Sequence, residues 1–187
     1  ELYGYAILQR VVELSGGAKL RDLLVVGNGG AQHGVRALGV SEPVEIRDVG
    51  VESCNWGIDA RGTVTVSGAA CRFSQSTQAL VATEVPDVTI VGCKVDTTTA
   101  GFSLVGTNAP SQTQALRAIR PKLRVENNAL LATEGGVLDA VAPSVVVSGD
   151  AGGAATGARL SVVGGSVSPT VGSVGARGFS LDEVVQS

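Results

Sequence analysis

The feature of this sequence that most limits its fold is a short unit of turn and strand that recurs at a near-constant spacing. The clearest copy, GIDARG, spans residues 57–62. Further copies begin at Gly34, Ala79, Gly101, Gly136, Gly157 and Gly178. Successive copies therefore begin at sequence intervals of 21 to 23, except for one interval of 35 between Gly101 and Gly136 (136 − 101). Such a period is typical of one supersecondary unit stacked many times.

The composition fits a stack of this kind. The chain has 187 residues, of which 44% are hydrophobic and only 3% aromatic, and it contains 26 glycines. Its interior must therefore be built from small aliphatic side chains, and its glycines serve frequent turns. In a solenoid, each repeat buries its apolar face against its neighbours. We predict an all-β, single-stranded parallel β-helix of about seven rungs, with 21–23 residues per rung, forming one domain over residues 1–187.

Two internal matches set the register of the predicted rungs. Residues 20–23 (LRDL) match residues 46–49 (IRDV) at a separation of 26, and the three residues in excess of 23 are assigned to the turn at residues 27–30. The apolar pattern of residues 44–58 returns 44 positions later, in residues 88–102. Because alternate residues of a strand face one side, the pattern predicts two interior ladders, Val49–Cys71–Cys93 and Ile58–Leu80–Phe102. Prolines, which lack an N–H group, fall just before predicted strands at Pro43, Pro86, Pro121 and Pro143.

The single long interval, between Gly101 and Gly136, predicts an insertion into one rung. The insertion is placed at residues 107–120, which leave the coil as a loop with a helical turn at residues 115–119. Inserted loops on a rigid solenoid tend to lie on a functional face. A tolerated surface excursion is an equally good interpretation of the same residues.

Written out as rungs, the chain combines an Ile/Leu-Arg-Asp-Leu/Val strand, a Gly-Asn-Gly turn and a Gly-Val/Ile strand entry. Over roughly residues 10–183 this pattern resembles the right-handed parallel β-helix of the pectate-lyase-like superfamily, and within it phage tailspike and tail-fibre domains. The resemblance implies three parallel sheets per turn, an outer sheet that binds or cleaves polysaccharide, and a homotrimer that recognises cell-surface glycans. The chain contains no catalytic motif of the superfamily, so the resemblance concerns the fold and not an activity.

One group of residues near the clearest glycine turn has the chemistry of a sugar-binding site. Alternation sends Ile58 inward and Asp59 and Arg61 outward, and Arg36 takes an outward position one rung earlier. Trp56, just before the turn, could stack on a sugar ring. We therefore assign substrate binding to Arg36, Trp56, Asp59 and Arg61, with Asp59 as the best single candidate for a catalytic carboxylate. The alternative is a solvated charge ladder in which Asp59 offsets two arginines and a neighbouring subunit covers Trp56.

Other residues that often carry chemistry lack the partners their reactions need. His33 has no serine or cysteine at a recognisable spacing for a nucleophilic triad. The three cysteines form no Cys-x-x-Cys pair, and with one histidine they do not supply a metal site, so neither a metal nor a cofactor is expected. Cys71 and Cys93 are predicted to be buried in the stack, and Cys54 to lie in a turn. Asp139 aligns with an inward position, which indicates either a local register shift or a buried carboxylate.

Charge and hydropathy limit the partners of the chain. The net charge is −3, the isoelectric point is about 5.1, and the basic residues are scattered singly along the sequence. A nucleic-acid partner is therefore not expected. No apolar run approaches the roughly 18 residues of a membrane helix, so membrane insertion is not expected either.

The preferred interpretation is a structural or receptor-binding β-helix of a phage tail fibre or tailspike. It would be a non-catalytic homotrimer, extracellular or on the virion surface, that contacts host cell-surface polysaccharide. The scarcity of aromatic residues and of outward carboxylates favours binding over catalysis. Two alternatives stay open, a polysaccharide lyase or glycoside hydrolase that uses Asp59 and a passenger domain of a bacterial surface adhesin. Because the chain has no methionine and its first residues already follow the strand pattern, we expect a fragment of a longer protein.

Overall fold

The computed structural model describes residues 2–3, 10–38, 42–62, 65–106, 114–148, 153–169 and 180–182. In these ranges the regular structure consists of β-strands, and no helix long and apolar enough to cross a membrane is found. The strands are, in chain order, β1 (Leu2–Tyr3), β2 (Arg10–Leu14), β3 (Lys19–Arg21), β4 (Leu24–Leu38), β5 (Val44–Arg47), β6 (Gly50–Arg61), β7 (Thr65–Ala69), β8 (Arg72–Ser74), β9 (Gln78–Thr83), β10 (Asp87–Val91), β11 (Lys94–Thr98), β12 (Ala100–Val105), β13 (Ala115–Ile119), β14 (Lys122–Val125), β15 (Leu130–Thr133), β16 (Val137–Val141), β17 (Ser144–Val147), β18 (Gly153–Thr156), β19 (Arg159–Val163), β20 (Ser166–Pro169) and β21 (Ser180–Asp182).

The strands wind into a parallel β-solenoid with three faces. The first face is a seven-stranded sheet in the order β19-β16-β13-β10-β7-β5-β3. The second face stacks β8, β11, β14, β17 and β20 on the first residues of β4 and β6, and the third stacks β9, β12, β15, β18 and β21 on the later residues of those two strands. Because β4 and β6 run through both faces, the second and third faces form one 14-stranded sheet. The coil makes about six turns, and the predicted all-β parallel solenoid is confirmed.

A tight corner joins the first face to the second in each turn of the coil. One residue at this corner adopts a left-handed conformation, with φ between 49° and 67°, at Asp22, Asp48, Ala70, Gly92, Arg120, Ala142 and Gly164. The N–H of Ala70 donates to the carbonyl of Val91 at 2.9 Å, and the N–H of Gly92 donates to the carbonyl of Ile119 at 2.8 Å. The corner is therefore held by hydrogen bonds between rungs, which explains why residues other than glycine occupy it.

The interior consists of ladders of apolar side chains stacked in register. Ile58, Leu80 and Phe102 are paired from rung to rung and have no exposed surface. Val49, Cys71 and Cys93 are equally buried at the corner before the second face. Both predicted ladders are confirmed. The four prolines lie directly before β5, β10, β14 and β17, as the sequence predicts.

The register also confirms the position of the first irregularity. Val25 pairs with Val51 (51 − 25 = 26), whereas Val35 pairs with Ile58 (58 − 35 = 23). The shift falls within residues 26–31. The three extra residues therefore lie at residues 27–30, which form an irregularity in the pairing of β4 rather than the predicted turn, and they do not displace the strands beyond them.

The insertion predicted at residues 107–120 is shorter than expected, and part of this segment belongs to the coil. Residues 115–119 do not form a loop with a helical turn. They form β13, which pairs with β10 on the first face. Asp87 pairs with Ala115 (115 − 87 = 28), whereas Thr65 pairs with Asp87 (87 − 65 = 22). This rung therefore has six additional residues (28 − 22) rather than 13 (35 − 22). Residues 107–113 of the predicted insertion lie outside the described residues.

The difference arises at the bend that begins the third-face strands. Phe102 donates its N–H to the carbonyl of Ala129 at 2.9 Å, so the bend at Gly101 is continued by Ala129 and not by Gly136. An alanine suffices at this bend, as Ala79 shows one rung earlier. The copies predicted to begin at residues 136 and 157 precede β16 and β19 on the first face instead, and the copy at residue 178 lies outside the described residues.

Candidate functional site

Asp59 lies on the third face, in β6, between Ile58 and Ala60, which are both directed into the core. Its neighbours in register are Arg36 on the preceding rung and Val81 on the next. The sequence predicts a solvent-facing carboxylate, and this is wrong, because the side chain of Asp59 has 0% exposure. Basic side chains of its own rung and of the preceding rung lie against the carboxylate.

The carboxylate of Asp59 contacts three nitrogen atoms. Arg61 donates its Nε–H to Oδ1 at 2.8 Å. The Nε of Arg36 lies 3.4 Å from Oδ2, and the Nδ1 of His33 lies 3.0 Å from the same oxygen. Neither of these two contacts has the angles of a hydrogen bond, and the contact of His33 is an ion pair only when its imidazole is protonated. A buried carboxylate is costly unless it is paired, and here basic groups from two rungs supply the pairing.

Trp56 completes this group of side chains, which we name the Asp59 cluster (His33, Arg36, Trp56, Asp59 and Arg61). The guanidinium carbon of Arg61 lies 5.1 Å from the centre of the Trp56 ring, within the range of a cation–π contact. The His33 ring centre lies 4.8 Å from that of Trp56, with a tilt of 56° between the ring planes. Asp59 and His33 are buried, whereas the side chain of Arg36 is 21% exposed and that of Arg61 is 37% exposed. The cluster therefore presents an aromatic ring and two arginines above a buried anion.

The structure brings all four predicted site residues, Arg36, Trp56, Asp59 and Arg61, into this one cluster. The sequence analysis does not include His33 in this group, because it considers the residue only as part of a nucleophilic triad. The signal was present, because His33 and Trp56 have the same separation along the chain as Arg36 and Asp59 (56 − 33 = 59 − 36). Residues that share a rung separation on adjacent strands lie side by side, whatever chemistry they carry.

The chemistry of the cluster is that of anion pairing and stacking. Glycosidases use two carboxylates that flank one bond, about 5 to 10 Å apart. The nearest acidic side chain in register is Glu13, and the register places Arg36 on the strand between Glu13 and Asp59. The two carboxylates therefore do not face a common gap. Asp59 is arranged to hold two arginines and a histidine in place.

Asp139 and Cys54 lie apart from the Asp59 cluster. Asp139 is half-buried on the first face opposite Arg117, so the alternative of a register shift is the correct one. Cys54 is not in a turn, because it lies within β6 and is 4% exposed. Burial raises the pKa of the Cys54 thiol to about 11.

Within the described ranges, no group of three or more His, Cys, Asp or Glu side chains could hold a metal ion.

The fold and the Asp59 cluster together define a parallel β-solenoid with an aromatic and cationic patch on one face. Comparisons of the chain with protein-family models, with curated proteins and with solved structures find no match.

Proposed function

We propose that the chain is a structural or receptor-binding domain of a phage tail fibre or tailspike, a right-handed β-helix of the pectate-lyase-like type. In this proposal the Asp59 cluster contacts host cell-surface polysaccharide. Trp56 offers an apolar face to a sugar ring, and Arg36 and Arg61 offer N–H donors to its hydroxyl or acidic groups.

The observation that carries the proposal is the arrangement of Trp56 beside two arginines that share one buried carboxylate. Arg61 contacts Asp59 through Nε and at the same time lies over the Trp56 ring, so both groups are ordered without a ligand. A site that is ordered in advance loses less conformational entropy when a ligand binds. A half-buried tryptophan held by basic side chains on a rigid sheet is suited to binding a sugar.

The state of Asp59 favours binding over hydrolysis. A general acid or a nucleophile must reach the glycosidic bond. The Asp59 carboxylate is fully buried, and both of its oxygens are in contact with basic nitrogens. Its function in this proposal is to position Arg36 and Arg61, not to react with the substrate.

We propose further that the domain acts as a homotrimer, extracellularly or on the virion surface. An aliphatic ladder on the outer side of the first face supports a contact between copies. Val91 and Val163 are 40% and 62% exposed, and Ile119 and Val141 lie between them in register. Burial of such a row against a second copy would remove apolar surface from water.

The experiment measures binding of the folded chain to a panel of bacterial surface polysaccharides, with sedimentation analysis of the same sample. We expect Trp56→Ala to weaken binding by on the order of tenfold or more, and Trp56→Phe to retain part of the affinity. Arg36→Ala should also weaken binding. Its matched control is Arg47→Ala, an exposed arginine on the first face, which should leave binding unchanged.

Two results would overturn the proposal. The first is a folded protein that binds no polysaccharide of the panel, or one whose binding is unchanged by Trp56→Ala. The second is release of sugar fragments that Asp59→Asn abolishes, because that result would place the chain with the polysaccharide lyases or glycoside hydrolases.

A further inference from the structure

A row of basic side chains runs along the second face, away from the Asp59 cluster. Arg72 in β8 pairs with Lys94 in β11, and Lys94 pairs with Lys122 in β14. All three residues are exposed. Three consecutive rungs therefore place a cation at the same position, at the spacing of about 4.8 Å between neighbouring strands.

The period of the sequence alone does not align these three residues. Arg72 and Lys94 follow the ordinary period of the coil (94 − 72 = 22), whereas Lys94 and Lys122 are further apart along the chain (122 − 94 = 28). The insertion between β12 and β13 breaks the period at this point. The expectation that the basic residues are scattered singly is therefore wrong for the second face.

The row borders a shallow groove with a volume of about 200 Å³. Its polar lining comes from Lys94, Asp96, Lys122, Arg124 and Ser144, and its apolar lining includes the exposed side chain of Val146. Arg124 is also exposed and lies in the same strand as Lys122. The groove thus combines three cations with one carboxylate, one hydroxyl group and one aliphatic surface.

The acidic residue in the groove offsets these charges only in part. Asp96 Oδ2 lies 3.7 Å from the Nζ of Lys94, and their side chains are 37% and 62% exposed. No ion pair of Lys122 or Arg124 is found among the described residues. Although the chain as a whole has a net charge of −3, this part of its surface is positive.

We propose that this groove, named the second-face groove and lined by Lys94, Lys122, Arg124 and Ser144, binds the acidic groups of a polysaccharide that carries carboxylates or sulfates. The polymer would lie across the rungs, so that successive acidic groups meet cations of successive strands. Ser144 offers a hydrogen bond to a sugar hydroxyl, and Val146 offers an apolar contact to a ring face.

The charge density of the face favours this partner over double-stranded DNA. DNA carries one negative charge per roughly 1.7 Å of its axis, whereas the row on the second face offers one cation per rung. Asp96 lies inside the groove, and Glu52 pairs with Ser74 beside the row, so a dense row of phosphates would be repelled. A polymer with one acidic group per sugar and neutral surface between these groups fits better.

The choice of a polysaccharide rests on the proposed function, but the groove is a separate surface from the Asp59 cluster. The experiment measures equilibrium binding of the folded chain to alginate, a polymer of uronic acids, with neutral dextran and duplex DNA as comparisons. We expect binding to alginate that weakens with salt, and weaker binding to both other polymers.

The test variant is the double substitution Lys122→Ser with Arg124→Ser. We expect it to weaken alginate binding by on the order of tenfold. The matched control, Lys19→Ser with Arg159→Ser, removes the same net charge from exposed positions of the first face and should leave binding near that of the wild type. Asp96→Asn removes the acidic group in the groove and should tighten binding.

The inference and the proposed function fail in different ways. Equal alginate binding by the test and control variants would overturn the groove and would leave the Asp59 cluster untouched. Tighter binding to DNA than to alginate would overturn the choice of a polysaccharide. Loss of alginate binding in Trp56→Ala, with no loss in the groove variant, would show that the polymer occupies the Asp59 cluster instead.

Discussion

Asp59 Oδ1 accepts a hydrogen bond of 2.8 Å from Arg61, a residue two positions further along the same strand, while Oδ2 contacts Arg36 from the preceding rung. One carboxylate thus fixes an arginine of its own strand and an arginine of the neighbouring strand. The backbone hydrogen bonds of the sheet already join these two strands. The side-chain contacts of Asp59 orient the two arginines, whereas the backbone hydrogen bonds hold the strands together.

The first prediction concerns the loss of this charge. Asp59→Asn keeps the shape of the side chain but leaves Arg36 and Arg61 without their counter-charge. Breaking a buried ion pair costs about 3–5 kcal/mol, and partial exposure of the two arginines reduces this figure. We therefore expect the free energy of unfolding in urea to fall by about 2 kcal/mol.

The control for this variant is Asp139→Asn on the first face. Asp139 is half-buried opposite Arg117, so the substitution removes a carboxylate of similar type from a more open setting. We expect its effect to stay below about 1 kcal/mol. Equal destabilisation by the two variants would contradict a special role of the buried carboxylate.

The fold could be predicted because its signal is periodic and apolar. A strand that buries one face repeats its hydrophobic residues with every turn, and Ile58, Leu80 and Phe102 are aligned by that repeat alone. Prediction failed after Gly101, where the sequence offered a later glycine and the structure uses Ala129. On the neighbouring rungs this bend is formed by Ala79 and Ala129, so glycine is a weaker marker of register than the aliphatic ladder.

The candidate site was predictable in its members but not in its burial. Alternation along β6 places Asp59 opposite to Ile58, and the separation of one rung (59 − 36 = 23) places Arg36 beside it. Burial of Asp59 depends on how the side chains of His33, Arg36 and Arg61 are oriented around it, and a sequence pattern does not specify side-chain conformation. His33 is a different case, because its separation of one rung from Trp56 already places it beside these residues.

The second prediction tests the alternation of inward and outward residues on β10. Ile90 has no exposed surface, whereas Thr89, the preceding residue, lies between Ser67 and Arg117 on the outer side. Ile90→Asp places an unpaired carboxylate in an apolar ladder, and we expect the domain to unfold. Thr89→Asp places the same group next to Arg117 and should preserve the circular dichroism spectrum and the melting temperature.

The third prediction separates two roles of glycine. A methyl group added to Gly101 would collide with the backbone carbonyl of Ala129, whereas one added to Gly92 meets no atom within 4 Å. Gly92 has φ of 64°, and alanines adopt φ of 53° and 49° at the equivalent corner positions 70 and 142. We expect Gly92→Ala to cost at most about 1 kcal/mol.

Gly101→Ala should cost more, because backbone atoms of two rungs must separate to relieve the collision. Chemical denaturation of the two variants beside the wild type measures the difference directly. If Gly92→Ala were the more harmful change, conformational strain at the corner rather than the close approach of two rungs would dominate.

The fourth prediction is a loss of stability at alkaline pH that depends on Cys54. Burial raises the pKa of its thiol to about 11, from an ordinary value of 9.0. Between these two values the unfolded chain has released the proton and the folded chain has not, so the folded state binds more protons and its stability falls as pH rises. The contribution of the protonated Cys54 thiol to the free energy of unfolding is fully present below pH 9 and is lost by about pH 11. This loss is at most about 3 kcal/mol.

The comparison that isolates this term is Cys54→Ala. Both proteins share the alkaline effects of their other groups, including the raised pKa of Cys93, which follows from its hydrogen bond with Cys71 and from burial. We therefore expect the difference in unfolding free energy between wild type and Cys54→Ala to be constant below pH 9 and to shift in favour of the variant above it. Parallel pH profiles of the two proteins from pH 7 to about pH 11 would show that the Cys54 thiol ionises as freely in the folded chain as in the unfolded one.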